Sequence, residues 1–124
     1  MKQEINELQI NGITYVRKDS INYNPAMKLD GMSYVICRTY TAGVFAGYLK
    51  ERKGQEVVLI KARRLWKWVG AASLSQLAQE GVKNKKDSMF PAEVDEVILL
   101  QAIEILPCTE AARLNIAEVP IWKV

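Results

Sequence analysis

The chain has 124 residues, 49% of them hydrophobic and 25% charged, with a formal net charge of +3. These values fit a globular domain of ordinary size and exclude a disordered or fibrous chain. Histidine is absent, which excludes Ser-His-Asp and Cys-His nucleophile systems, imidazole proton shuttles and every His-containing metal site. One ligand-binding domain over residues 1–124 is expected, long enough to bury a useful core.

Residues 1–6 read as a polar tail, without the apolar run of a signal peptide. Leu8-Gln9-Ile10 and Ile13-Thr14-Tyr15-Val16 flank Asn11-Gly12. Asn-Gly between β-prone runs predicts a hairpin, because a type I′ turn needs positive φ at both central residues. Residues 18–31, with Asn22, Asn24, Pro25, Asp30 and Gly31, read as an irregular loop. Met32 to Tyr40 is β-branched and aromatic and predicts a strand. Gly43 marks a bulge or a close approach. Val44 to Lys50 predicts a second strand, Lys53-Gly54 a turn, and Glu56 to Trp68 a third strand, giving an antiparallel meander. Strict alternation along the third places Val58, Ile60, Ala62, Arg64, Trp66 and Trp68 on one face. Val57, Leu59, Lys61, Arg63, Leu65 and Lys67 take the other. Its first half reads as buried on both sides and its second half as a rim.

Ser73, with Gln76 three residues on, predicts the start of a helix that ends at Gly81 and packs through Leu74, Leu77 and Ala78. Lys83 to Ser88 is a basic loop. Glu93 to Leu106 is strongly apolar and predicts a strand, with helix left open for Leu99 to Leu106. Thr109 caps a short helix over 109–117, with Glu110 in its first turn. Pro120 ends it, and Ile121-Trp122 returns to packed structure. The expected fold class is α+β: an antiparallel sheet, made of an N-terminal hairpin plus a meander, with two short helices. Cys37 and Cys108 sit in apolar strand-like segments and read as buried thiols of a reducing compartment. No apolar run reaches the roughly 18 residues of a membrane span. A cytoplasmic protein with no membrane partner is expected.

Lys61, Arg63, Arg64 and Lys67 cluster with Trp66 and Trp68. Guanidinium forks match phosphate oxygens, and indole faces stack on bases. The plainer reading is a solvated strand end with its cations lying over tryptophan. Arg38-Thr39-Tyr40-Thr41-Ala42-Gly43 offers small residues and hydroxyls for a ligand to approach backbone N–H groups, or simply a strand bend. It is not a Walker loop. Thr109 opens a helix whose dipole favours an anion, with Arg113 one turn on, or serves as a plain cap. Glu93, Asp95 and Glu96 have no spacing that fixes an acid–base pair or a metal. Ser73 and Ser75 lack a base. The residues therefore read as an anion binder, not an enzyme, with no catalytic residue, metal or cofactor assigned.

Three stretches carry a resemblance: Met32 to Lys50, Lys61 to Gly81, and Ala102 to Arg113 with the closing Val119-Pro120-Ile121-Trp122. They resemble a phage and prophage family of Thoeris anti-defence proteins. The resemblance implies a sponge that sequesters glyco-cyclic ADP-ribose signals of TIR-domain enzymes uncleaved. It also implies capture of cyclic trinucleotides of cGAS-like systems, and a homodimer or a hexamer built as a trimer of dimers. For such a ligand the chemistry nominates Arg38, Arg63, Arg64 and Arg113 for phosphates. Tyr40, Phe45, Trp68 and Phe90 are nominated for stacking, and Thr109 for its capped helix end. Two other readings stay open: a single-stranded nucleic-acid module, and a phage protein–protein inhibitor anchored by Trp66, Trp68 and Trp122. The mild charge argues against a stable DNA partner.

Overall fold

The structure, a computed structural model, describes residues 24–124 and the backbone of two N-terminal strands, β1 (Glu7–Ile10) and β2 (Ile13–Val16). These pair antiparallel with Ile10 opposite Ile13, the register a two-residue loop imposes. The Asn11-Gly12 turn and the tail 1–6 lie outside the described residues. The main sheet contains β3 (Tyr34–Thr39), β4 (Val44–Lys53), β5 (Glu56–Arg64), β6 (Val94–Leu99) and β7 (Ala102–Pro107), in the order β6-β5-β4-β3-β7. The expected α+β class and the β3-β4-β5 meander are present, with α1 (Leu74–Glu80) and α2 (Glu110–Glu118) as the two helices.

Every pairing in this sheet is antiparallel. Strands β3 and β5 flank β4, so they run the same way, and β6 and β7 both run against them. Only Leu100 and Gln101 separate β6 from β7. The two are halves of one bent strand, the first laid on β5 and the second on β3, at opposite ends of the strand order. The sheet must curl for two residues to join its two ends. The bend is pinned to both hairpins: Tyr40 N–H donates to Gln101 O at 2.9 Å and Ala102 N–H to Gln55 O at 2.9 Å. The stretch 93–106 is thus two strands, not one strand or a helix.

Curling explains the unbroken apolar run of β3. Val35 and Cys37 face a core inside the curl, with Phe45, Val57, Leu59, Ala62, Leu99 and Ala102. Tyr34 and Ile36 face a second core under the helices, with Leu65, Leu77, Phe90, Cys108, Ala112 and Ile116. A strand covered on both faces need not alternate. Both cysteines are buried free thiols. Burial pushes the Cys37 thiol up and the Cys108 thiol up to about 12.

Two features overturn expectations about the third strand. It ends at Arg64 instead of Trp68. Phe45 pairs Arg64 and Leu65 N–H donates to Val44 O, after which β4 has no backbone left to offer. The chain beyond pairs through Lys67 with Met89 instead. The strict alternation also fails, because Lys61 takes a left-handed φ of 51°. Lys61 and Ala62 together oppose the single residue Gly47, a two-on-one bulge. Ala62 therefore joins Val57 and Leu59 inside the curl, while Arg63 and Leu65 turn towards the helices. Gly43 lies in the β3–β4 turn, with φ 96° and its carbonyl accepting from Thr39 N–H at 3.0 Å, so it marks no bulge.

Helix α1 has its expected cap: Ser73 Oγ accepts from Gln76 N–H, and Gln76 Oε1 accepts from Ala72 N–H. Asn115 of α2 reads the chain after α1, donating to Val82 O and accepting from Val82 N–H, both at 2.8 Å. Gly81 lies beneath it with φ 77°, and a β-carbon there would meet Asn115 Cγ at 2.3 Å. Gly81→Ala combines that clash with left-handed strain. It should destabilise the fold by about 2–4 kcal/mol, measured by urea denaturation.

Candidate functional site

Arg63 is only 7% exposed. Its Nε donates to Pro91 O and its Nη1 to Ile116 O, at 2.8 and 2.7 Å. Its Nη2 reaches the carbonyls of Phe90, Val119 and Pro120 at 2.9, 2.7 and 3.2 Å. The fork thus closes the orphan end of α2 and ties it to the 90–91 segment and to β5. Its guanidinium lies 5.5 Å over the Phe90 ring. Burial lowers the Arg63 pKa, opposed by the nearby Tyr34 and Glu93. The proposed phosphate role of Arg63 is therefore corrected: its donors hold the fold together. Phe90 is fully buried beneath it and offers no face to a base.

Four further nominations change. Phe45 is buried inside the curl, with the Arg64 guanidinium 4.3 Å over its ring. Thr109 is a plain cap. Its Oγ1 accepts from Ala112 N–H and donates to Gln79 O, while its N–H donates to Ala78 O. Glu110 N–H is taken by Asn24 O, so α1 and the 24–25 segment occupy the ground an anion would need. Arg38 pairs with Glu104 at 2.9 Å on the outside of the sheet, and Tyr40 is 72% exposed on the turn beyond it. Neither lines a cleft with the other nominated residues.

Two clefts remain. The first, of about 390 Å³, lies between β3, β4, the β5 bulge and α2, and is lined by Tyr34, Tyr48, Lys61, Arg63, Glu93 and Arg113, with Ile116, Val119 and Ile121 as an apolar wall. That is within the size range of small-molecule sites. Tyr34 and Tyr48 are cross-strand partners with rings edge-on at 5.0 Å. Burial, foremost, pushes the Tyr34 hydroxyl above its ordinary range. Arg113 grips Glu110 through two bonds, at 2.9 and 2.5 Å, and reaches Tyr48 Oη at 3.5 Å. Lys61 pairs with no carboxylate among the described residues.

The second cleft, of about 500 Å³, lies under the β3–β4 turn and is lined by Thr41, Ala42, Gly43, Arg64, Trp66 and Trp68. Arg64 Nη1 donates to Ala42 O at 2.6 Å, which fixes the guanidinium across the turn. Trp66 is 62% exposed and lies parallel to Trp122, with centroids 6.5 Å apart. The structure thus brings Arg64 together with Trp68, and Arg113 with Arg63, in two separate places. Sequence reasoning missed Tyr34 and Tyr48 as a pair. Counting outward from the turn at 40–43 would have set them opposite each other.

Two predictions follow from these partners. Arg63→Met removes the hydrogen bonds that tie the end of α2 to the 90–91 segment and should cost about 3–5 kcal/mol, whereas Arg64→Ala should stay within about 1 kcal/mol of the parent in the same urea titration. The second concerns Glu110. The Arg113 side chain, then the Met27 N–H at 2.7 Å, hold the Glu110 carboxyl down at about 2. A folded pKa below the unfolded one stabilises above the ordinary carboxylate range and is lost as pH falls towards 2. Glu110→Gln should therefore melt below the parent at pH 7, with the gap closing steadily between pH 4.5 and 2.

Neither a curated protein nor a solved structure matches the chain. A family model described as a domain of unknown function (DUF6948) matches residues 32–116, a span running from the start of β3 into α2. That is well over half of the chain, and the protein belongs to this family.

Proposed function

We propose that the protein captures a cyclic ADP-ribose isomer intact, as an anti-defence sponge against the glyco-cyclic ADP-ribose signals of TIR-domain enzymes. The observation that carries this reading is the first cleft, where Lys61 and Arg113 share one recess with Tyr34 and Tyr48. A pyrophosphate asks for cations and hydroxyl donors, and an adenine and two riboses ask for an apolar wall with a few polar groups. Ile116, Val119 and Ile121 supply the wall, and Glu93 offers an acceptor to a ribose hydroxyl or an adenine amine. The resemblance of Met32 to Lys50 and Lys61 to Gly81 to anti-defence sponges supports the same ligand class. It extends the proposal to cyclic trinucleotides, to a homodimer or hexamer, and to the cytoplasm of an infected bacterium. No helix among the described residues is long and apolar enough to cross a membrane.

The function is binding, not turnover, because a sponge must hold its ligand without attacking it. A second reading is favoured by one observation, the exposed stacked pair of Trp66 and Trp122 with Ile121 beside it. Such a pair anchors a protein partner or stacks on an unpaired strand.

Incubation with a cyclic ADP-ribose isomer should deplete free ligand about one for one, and heating the complex should return it unchanged by mass spectrometry. Release of a cleaved product would make the protein an enzyme. Absence of depletion, together with salt-sensitive retention of single-stranded nucleic acid, would favour the second reading.

A further inference from the structure

We propose that Lys61 is held in a left-handed backbone so that its ammonium reads a phosphate group of the ligand, making it the specificity-determining cation of the first cleft. This rests on the reading of that cleft as the ligand site.

Seven described residues adopt a left-handed φ: Gly31, Gly43, Gly54, Gly70, Gly81, Asp30 and Lys61. Five are glycine, which takes the conformation freely, and aspartate tolerates it better than most residues. Lysine gains nothing locally from it. The bulge itself does not need a long side chain at this position. Its steric demand falls on the facing strand, where a β-carbon on Gly47 would meet Ala62 Cα at 3.0 Å and Ile60 O at 3.1 Å. Glycine therefore stands where space is short, and lysine stands where glycine would relieve the backbone. Strain kept at a position that faces a cleft points to a use for the side chain.

The surroundings say what the use is. Without the bulge, Lys61 would follow Val57 and Leu59 into the core inside the curl. With it, Ala62 takes that inward place and Lys61 lines the cleft. The other two cations there are engaged. The guanidinium of Arg63 donates to five carbonyls, and that of Arg113 is matched by Glu110. Among the described residues Lys61 is the lining cation with no acidic partner. An ammonium lining the same recess as two tyrosine hydroxyls is chemistry for a phosphate oxygen. Glu93, which lines the same recess, disfavours a ligand whose negative charge spreads over all of it, so the phosphate end is the end placed at Lys61.

The test sets stability against binding. Cyclic ADP-ribose and inorganic pyrophosphate serve as probes in calorimetric titration, and thermal melting reports the fold. Lys61→Gly should melt no lower than the parent, because it relieves the backbone, yet bind both probes at least about tenfold more weakly. Lys61→Met, which keeps length and strain, should show the same loss, and Lys61→Arg should bind within a few fold of the parent. If the parent binds and both uncharged variants bind within twofold of it, the Lys61 assignment is wrong while the cleft reading survives. A Lys61→Gly protein that melts clearly lower would overturn the claim of retained strain. If the parent binds neither probe, the cleft reading fails and takes this assignment with it.

Discussion

The guanidinium of Arg63 holds the molecule's two halves in one arrangement. It projects from the sheet towards α2 and is satisfied by the backbone at the end of that helix and by the 90–91 segment. A buried charge is costly unless several acceptors meet it. Here five carbonyls meet it, and two of them, those of Ile116 and Phe90, also accept from the backbone N–H groups of Val119 and Trp122. The same contact fixes one wall of the first cleft, because Ile116, Val119 and Ile121 are set by where the end of α2 is clamped. Fold and site therefore share a single anchoring interaction.

The curled sheet gives that anchor something to act on. One bent strand, folded at Leu100-Gln101, serves both ends of the strand order. It creates an interior core from Val35, Cys37, Val57, Leu59 and Leu99 that is separate from the core beneath the helices. Two small cores on the two faces of one sheet make β3 the strand that reports to both. The bulge at Lys61 works within this frame. It shifts the side-chain phase of β5 in mid-strand, so that one half fills the interior and the other half supplies Arg63 to the helices.

Local signals in the chain were mostly readable. Ser73, Gly81, Thr109 and Pro120 mark the helix ends through capping chemistry that depends on only a few neighbours. The meander follows from its turn residues. What could not be read was anything decided by distant partners. The end of β5 depends on where β4 begins, and the split of 93–106 depends on distant strands, with pairs as far apart in the chain as Val94 and Ala62 or Leu106 and Ile36. The site suffered most. An arginine next to tryptophans looks like a ligand contact, and nothing local announces that five carbonyls await Arg63. Phe90 looked available because the residues that bury it, among them Ile36, Leu77 and Ile116, come from distant parts of the chain. Arg113 lines a cleft, but its neighbours there, Tyr34 and Tyr48, emerge only from strand register.

The two cysteines carry a practical corollary. Each is enclosed, and each has its thiol driven away from the reactive anionic form. At physiological pH almost no thiolate is present to meet an electrophile or a peroxide. The native protein should therefore be nearly silent towards maleimides and mild oxidants, which leaves it a clean background for attaching a fluorophore at any surface position chosen to watch the clefts fill.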